Sequence, residues 1–267
     1  MEQTYTNVKD EEKNSNQIIL KVINLSKHFG GIKAVDNVSL EFYKSEIVGI
    51  VGDNGAGKST LIKMISGAYE RDSGEIYLDG QLVNVKNTAD AIKLGIETVY
   101  QNNTLVGHLD APKNFFLGRE RVTDTLWGKL FGSLDMKGMR QDTLNTLKKL
   151  KIDLKDIYTP VKLLSGGQQQ SVVVGRAAYW KGKVIILDEP ANNLGVQEQR
   201  EVLKLVQSIR DEYGITFIMI SHNLEHVFDI SDRIVVMRGG RVVGVKKTSE
   251  TSRNEIVGLI TGAIEVN

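Results

Sequence analysis

The stretch GDNGAGKST, residues 52–60, decides the fold class of this chain. It matches the pattern G-x-x-x-x-G-K-[ST], in which glycines let backbone N–H groups turn inward around an anion. The apolar run EIVGIVG, residues 46–52, predicts a buried strand before it, and STLIKMISG, residues 59–67, predicts a helix after it. A strand, a glycine-rich loop and a helix in this order predict a phosphate-binding P-loop.

The residue types in this loop indicate its ligand. Lys58 is expected to reach the β- and γ-phosphates of a nucleoside triphosphate, and the Ser59 hydroxyl is expected to bind Mg²⁺. The following helix directs its positive end at the same place. The alternative is a glycine-rich turn beside an exposed lysine, which the flanking strand and helix disfavour. The predicted phosphate-binding residues are Gly52, Asp53, Asn54, Gly55, Ala56, Gly57, Lys58, Ser59 and Thr60.

The run VIILDEP, residues 184–190, supplies two carboxylates. Its four apolar residues predict a buried strand with Asp188 and Glu189 at the carboxyl end, where open α/β sheets bind ligands. Asp188 is expected to hold Mg²⁺, directly or through water, and Glu189 is expected to polarise the attacking water. Taken alone, the motif is also typical of a solvated pair at a strand end.

Alternating strands and helices predict an α/β fold with a mainly parallel sheet. Val202, Val206 and Ile209 share one face of an amphipathic helix, which Gly214 is expected to end. The other predicted strands of the parallel sheet are IETVY (96–100), TFIMIS (216–221) and RIVVM (233–237).

Two dipeptides between short apolar runs predict hairpins. Asp79-Gly80 and Gly239-Gly240 each stand between β-rich runs, which is a strong signal for a two-residue turn. Together with the runs at 18–30 and 38–46, these hairpins predict an antiparallel β layer beside the parallel core.

The middle of the chain, about residues 102–160, has a helical pattern at Leu144, Leu147 and Leu150 to Ile152. We interpret it as a helical subdomain inserted into one domain over residues 17–267, with the β-rich core at about 17–101 and 161–250. Residues 1–16 are polar and charged, and they predict a disordered tail.

Composition excludes several classes of function. The 34 Lys and Arg balance 33 Asp and Glu, so no basic surface for nucleic acid is indicated. Cysteine is absent, which excludes disulfides, thiolate metal sites and cysteine nucleophiles. No apolar run approaches the roughly 18 residues of a membrane helix, and the first residues do not resemble a signal peptide.

A second glycine motif follows in LSGGQQQSVVVGRAA, residues 164–178. Ser165 and Gln168 have the spacing of a capping box at the start of a helix. The run of three valines at 172–174 favours a strand instead. Local preference therefore leaves this segment open between a helix and a glycine turn before a strand.

LSGGQ resembles the signature motif of the ATP-binding cassette (ABC) ATPases. The likeness covers nearly the whole chain after the tail, and five motifs stand in the family's order. They are the P-loop, Gln101 in VYQ, LSGGQ, LDEP and His222 in ISH. The family's fold, a RecA-like P-loop NTPase core with an antiparallel β subdomain and a helical subdomain, is the fold that this resemblance implies.

The resemblance also explains why one chain carries two phosphate cradles. In the family two cassettes face each other head to tail, and each ATP lies between the P-loop of one and the signature of the other. By this pattern Ser165, Gly166, Gly167 and Gln168 are expected to contact the γ-phosphate of ATP held by the partner. ATP would hold the two halves together, and hydrolysis would release them.

Three further positions carry over from the family. Phe29 matches the aromatic residue that stacks on adenine, Gln101 the residue that senses Mg²⁺ and the attacking water, and His222 the histidine that contacts the γ-phosphate. As a lone aromatic, Phe29 is more typical of a core. His28 and two other histidines, His108 and His226, match no motif, and surface or structural roles are expected for them.

Phrases such as GIETVYQ and LSGGQQQSV resemble cassettes of bacterial monosaccharide importers of the ribose, xylose and fructose type. Many of these fuse two cassettes, so a chain of this length implies a second cassette as partner, identical or related. The resemblance further implies a separate membrane permease, an extracytoplasmic solute-binding protein and a place on the cytoplasmic face of the membrane. The helical segment is the expected docking surface, and Leu126, Trp127, Leu130 and Phe131 either pack within it or face the permease.

In the D-loop, Gly195 stands where many cassettes have Asp, and the sugar importers often share this Gly, but Asn192 and Asn193 replace their usual small residues. They leave communication between the two sites open. The main rival function is a non-transport ABC ATPase of translation or DNA repair, but no second cassette or sustained heptad is present. A GTPase lacks its guanine motif here, and a module that only binds ATP is disfavoured by Glu189 and His222.

Overall fold

Buried strands determine the architecture of this chain. A computed structural model describes residues 17–101, 105–125 and 132–264. The predicted tail and the apolar residues Leu126, Trp127, Leu130 and Phe131 lie outside the described residues. The strands are β1 (Ile18–Phe29), β2 (Ile32–Tyr43), β3 (Ile47–Val51), β4 (Ser73–Leu78), β5 (Gln81–Val83), β6 (Ile96–Val99), β7 (Val184–Asp188), β8 (Thr216–Ile220), β9 (Arg233–Arg238) and β10 (Arg241–Lys247). The helices are α1 (Lys58–Ile65), α2 (Thr88–Leu94), α3 (Ala111–Phe116), α4 (Met136–Lys149), α5 (Gly166–Tyr179), α6 (Val196–Tyr213), α7 (Leu224–Ile230) and α8 (Arg253–Thr261).

A six-stranded sheet in the order β10-β9-β3-β8-β7-β6 forms the centre. The neighbours from β9 to β6 pair in parallel, and all residues of β3, β7 and β8 are buried. Such continuous apolar strands arise where helices or a second sheet cover both faces of a parallel sheet. The predicted parallel core is therefore confirmed.

A second, antiparallel sheet has the order β2-β1-β4-β5 and confirms the predicted β layer. Asp79 and Gly80, with φ of 49° and 76°, form the turn between β4 and β5, as two-residue hairpins with positive φ at both positions require. Gly239 and Gly240 form the other predicted hairpin, with φ of 56° and 79°. Its assignment to the antiparallel layer is wrong, because β9 pairs in parallel with β3 and carries β10 onto the edge of the central sheet.

The two faces of the central sheet contribute to different clusters of the core. Val48 and Ile50 pack with α1 and the antiparallel sheet, whereas Ile47 and Val51 pack with α5, α6 and α7. The alternation follows from the two-residue period of a strand. Helix α6 ends at Gly214 in the left-handed conformation and buries Val202, as the amphipathic pattern predicts.

The segment 102–160 contains α3 and α4, in agreement with its helical pattern. Phe115, Phe116 and Leu147 form a third cluster with residues of α5. The Trp180 indole N–H donates to the Phe115 carbonyl oxygen over 3.0 Å and joins this cluster to the end of α5. The limits predicted for the subdomains stay a prediction.

The signature segment is helical and forms the start of α5. Ser165 accepts the Gln168 N–H at 3.3 Å, and the Gln168 side chain accepts the Ser165 N–H at 3.1 Å, which completes the capping box. Val172 to Val174 are all buried. Tertiary burial therefore overrides the strand preference of the three valines.

Candidate functional site

The P-loop connects β3 to α1 and takes a conformation that requires glycine. Gly52 has a φ of 151°, and a Cβ atom there would lie 2.2 Å from the Met237 carbonyl oxygen. Gly57 has a φ of 98°, and a Cβ atom there would lie 2.4 Å from the Ala34 carbonyl oxygen. Both positions combine positive φ with close backbone approach, so larger residues cannot replace these glycines without moving the loop.

The Lys58 ammonium group folds back over this loop. Its Nζ donates to the carbonyl oxygens of Gly52 at 2.8 Å and Asp53 at 2.9 Å. Burial of Lys58 lowers the pKa of its ammonium group, and the nearby carboxylates of Glu189 and Asp188 oppose this shift. The two neutral carbonyl oxygens thus hold the ammonium charge beside the loop. A phosphate could take their place and form stronger, charge-assisted hydrogen bonds with Lys58.

Asp188 ends β7 at the carboxyl edge of the sheet, paired with Ile220 of β8. Its side chain is buried, and both this burial and the neighbouring Glu189 raise the pKa of its carboxyl group. Since a buried carboxylate is costly unless a cation pairs with it, this position suits a bound cation.

Glu189 follows in the left-handed conformation, with a φ of 53°. Its N–H donates to the Ile220 carbonyl oxygen at 3.0 Å, which fixes the backbone against β8. The Glu189 Oε1 atom accepts the His222 backbone N–H at 3.0 Å and lies 2.8 Å from His222 Nδ1. A non-glycine residue with positive φ is strained, and the hydrogen bonds to Ile220 and His222 hold Glu189 in this conformation.

Gln101 lies at the same edge, two residues beyond the register pair of Val99 with Leu187. Its side chain is exposed. Ser59 is the second residue of α1, directly after Lys58. The structure thus brings the P-loop, Gln101, the carboxylates and His222 to one edge of the central sheet.

Phe29 ends β1 and is 46% exposed, so it is not a core residue. Its ring meets that of Tyr69 edge to face, with 5.5 Å between the centroids. Nothing in its local sequence pattern distinguishes Tyr69 from other surface aromatics, so it is not among the predicted site residues. The two rings form an exposed aromatic surface that a planar base could contact.

The signature motif has polar partners of its own. The capping box links Ser165 with Gln168. The Ser165 hydroxyl and the Gly167 N–H lie close enough to the Glu198 carboxylate to lower the pKa of that group. Within the described residues, no hydrogen bond joins the P-loop to these groups. Glu198 is also not among the predicted site residues, since it stands in the following helix, α6.

The D-loop leads from Glu189 to α6. Asn193 has a φ of 61°, a conformation that asparagine adopts more readily than most residues, which accounts for its presence here. Gly195 precedes the first residue of α6, and its N–H donates to Glu198 Oε2 at 3.2 Å. Glu198 therefore supplies the carboxylate that caps α6, whereas the D-loop residue Gly195 supplies only its backbone N–H.

The donor set at the sheet edge fits Mg²⁺. A hydroxyl (Ser59), an amide (Gln101) and a buried carboxylate (Asp188) offer hard oxygen ligands, which Mg²⁺ prefers. Within residues 17–101, 105–125 and 132–264, no cluster of three or more His, Cys, Asp or Glu could hold a metal alone. This pattern is typical of Mg²⁺ bound through few carboxylates together with substrate phosphates.

A P-loop between a buried parallel strand and a helix, with an acidic strand end beside it, defines a P-loop nucleoside triphosphatase. The profile of the ABC transporter family matches residues 35–192. The chain belongs to this family, and it is one of its ATP-binding cassettes, an ATPase.

Relatives of known identity resemble the chain over most of its length. The fructose import ATP-binding protein FrcA of Rhizobium meliloti is 42% identical over 92% of this chain and 95% of its own length. The xylose/arabinose import ATP-binding protein XylG of Sulfolobus acidocaldarius is 41% identical over 91% and 94%. The ribose import ATP-binding protein RbsA of Caldanaerobacter subterraneus is 38% identical over 91% of this chain, which spans 48% of that longer protein.

Solved cassettes share the fold. The ADP conformation of MJ1267, an ATP-binding cassette of an ABC transporter, superposes with a TM-score of 0.76 at 29% identity, over 91% of this chain and 95% of that one. A dimeric cassette, MJ0796 bound to ADP and Pi, gives a TM-score of 0.71 at 26% identity, over 86% and 99%. The expected ABC ATPase fold is therefore confirmed. None of the helices in the described part of the chain is long and apolar enough to cross a membrane.

Proposed function

We propose that this chain is the ATP-binding subunit of a bacterial-type ABC importer for a monosaccharide. The observation that carries the proposal is its match of 41–42% identity, over nearly full length, to single cassettes named for fructose and xylose/arabinose import. The sugar itself stays open, because in such a system the cargo contacts the permease and the solute-binding protein and never the ATPase.

Two cassettes form the working unit, as identical or related chains. Each ATP lies between the P-loop of one cassette, residues 52–60, and Ser165, Gly166, Gly167 and Gln168 of the other. The N-terminus of α5 supplies free N–H groups and a positive end to the γ-phosphate. The dimeric MJ0796 cassette supports this arrangement as a relative of the same fold.

Within each site, the chain's own residues divide the chemistry. Lys58 leaves its carbonyl partners and binds the β- and γ-phosphates, while Phe29 stacks on the adenine. Glu189 orients and polarises the attacking water, and His222 contacts the γ-phosphate. A group acting as general base contributes about 10²–10⁴-fold to such a rate.

Mg²⁺ would be held by Ser59, Gln101 and Asp188, and when bound it neutralises charge on the phosphates. Ionised Asp188 is needed for this role, and its raised pKa means that the carboxylate gains more from a cation than an exposed carboxylate does.

An integral membrane permease and an extracytoplasmic solute-binding protein complete the system, and the cassette sits on the cytoplasmic face of the membrane. The permease docks beside the helical segment, residues 102–160. Ile92 and Leu117, both exposed, border a cavity of about 300 Å³ between the sheet core and α3. These two side chains are the contact that we propose for the permease.

Recovery of the chain from membranes tests this function. The tagged chain should purify with an integral membrane protein, and Leu117→Glu should abolish that recovery. Leu134→Glu is the matched control, since Leu134 is equally exposed in the same segment but does not line the cavity. Recovery with ribosomes or DNA and without a membrane partner would favour the non-transport ABC ATPases instead.

A further inference from the structure

Glu198 lies in the first turn of α6, and its carboxylate faces the start of α5. A Cβ atom on Gly167 would lie 2.9 Å from Glu198 Cβ and 3.2 Å from Cδ. The side chain therefore packs directly against the signature backbone, and only glycine at 167 leaves it room.

Three polar groups surround this carboxylate. The Gly195 N–H donates to Oε2 at 3.2 Å, and the Ser165 hydroxyl and the Gly167 N–H lie beside the same group. Ser165, Gly167 and Gly195 together lower the pKa of Glu198, so its carboxylate is anionic at neutral pH. The carboxylate occupies the position of an anion between the positive ends of two helices, α5 and α6.

Two of these three groups have a second role. Under the proposed function, on which this inference rests, the Ser165 hydroxyl and the Gly167 N–H bind the γ-phosphate of ATP held by the partner cassette. Because the Glu198 side chain packs against Gly167, a γ-phosphate bound by these groups would stand beside the carboxylate, and the two anions repel each other.

The carboxylate has space to move. Gly167 and Glu198 line one side of a cavity of about 950 Å³, into which Lys204 of α6 also faces. A rotation of the Glu198 side chain toward this cavity would free the signature donors without moving either helix.

We propose that Glu198 is an internal anion that occupies the signature site before assembly, and that the γ-phosphate must displace it when two cassettes close on ATP. The signature is thereby kept in its ordered, capped form between cycles. The free energy gained from ATP binding must also exceed the free energy of this internal contact.

The test compares ATP-driven dimerisation in a background that cannot hydrolyse. Glu189→Gln provides that background, and the ATP concentration at half-maximal dimer is measured by mass photometry. Adding Glu198→Gln removes the charge but keeps the shape of the side chain. This double variant should dimerise at an ATP concentration about tenfold lower, because charge-assisted hydrogen bonds are about twice as strong as neutral ones.

Glu201→Gln in the same background is the matched control. It makes the same charge change one turn further along α6, where the Glu201 side chain bonds Gln197 at 3.0 Å. Its midpoint should stay within about twofold of the parent, since exposed charges contribute little. Thermal unfolding without nucleotide checks that each variant is folded. Should Glu198→Gln be unfolded, Glu198→Asp, which retracts the carboxylate, should lower the midpoint in the same direction.

The outcomes separate the two proposals. If the Glu189→Gln parent dimerises and the double variant needs the same or a higher ATP concentration, displacement is refuted and Glu198 only positions the signature. If the parent stays monomeric at every ATP concentration, the proposed ATP sandwich itself fails, and the displacement fails with it.

Discussion

His222 contacts Glu189 twice, through its backbone N–H at 3.0 Å and through imidazole Nδ1 at 2.8 Å, both to the same carboxylate oxygen, Oε1. Glu189 is nearly buried and its backbone has positive φ, whereas the His222 side chain is 63% exposed. The carboxylate is thus held in a fixed place by a residue that can still turn toward an incoming phosphate. The geometry therefore distinguishes Glu189, whose carboxylate is held in place, from His222, whose side chain can move.

Glu189→Gln should bind ATP and hydrolyse it at least about a hundredfold more slowly, because an amide cannot polarise water as a carboxylate does. The ATP-bound dimer should accumulate in consequence. Steady-state phosphate release and solution mass with ATP measure both effects. Glu212→Gln, an exposed change in the last turn of α6, is the control, and an unchanged turnover in Glu189→Gln would remove Glu189 from its role.

His222→Ala should lower turnover by about 10²–10³-fold, the scale of a lost charge-stabilising contact, while ATP affinity changes little. Loss of the imidazole leaves the backbone N–H to hold Glu189, so the fold should be intact. His108→Ala removes an exposed histidine outside the sheet edge and should be neutral. Equal turnover in the two variants would show that the side chain of His222 takes no part.

The charge of Asp188 is expected to affect both magnesium binding and the pH dependence of the protein's stability. Burial and Glu189 raise the pKa of its carboxyl group in the folded chain, so the folded state binds this proton more tightly than the unfolded state. The cost of the ionised carboxylate is therefore present above the raised pKa and disappears as the pH falls through it.

Asp188→Asn should consequently raise the melting temperature of the nucleotide-free protein by a few degrees at neutral pH, and the difference should shrink as the pH falls. It should also abolish magnesium-dependent hydrolysis. Differential scanning calorimetry with EDTA, across a pH series, measures the first effect. A variant that melts below the parent at neutral pH would show that the Asp188 charge stabilises the fold.

Much of this structure follows from local sequence patterns. Continuous apolar runs predict β3, β7 and β8, because buried parallel strands leave no room for polar residues. The P-loop glycines and the Asp79-Gly80 turn are equally predictable, since positive φ restricts the residue type.

The remaining features depend on contacts between distant segments. Propensity leaves α5 ambiguous, and burial of its valines in tertiary clusters decides for the helix. The sheet that receives β10 is set by the pairing of β9 with β3. Glu198 meets Gly167 across two helices, which no local pattern contains. The positive φ of Glu189 likewise arises from its surroundings.

The central claim is that each ATP is shared between two chains, and a mixing experiment tests it most directly. Lys58→Ala should lose most nucleotide affinity, and Ser165→Arg should block the signature, so each variant alone should be inactive. A mixed dimer retains one complete site, with Lys58 from one chain and Ser165 from the other.

Equal amounts should therefore recover up to about a quarter of the wild-type turnover, since random pairing gives half mixed dimers with one site of two intact. Wild-type turnover per chain should also fall on dilution. A mixture no more active than the two variants alone would contradict the account. A wild type indifferent to dilution, or a Ser165→Arg variant that turns over ATP at full rate, would contradict it as well.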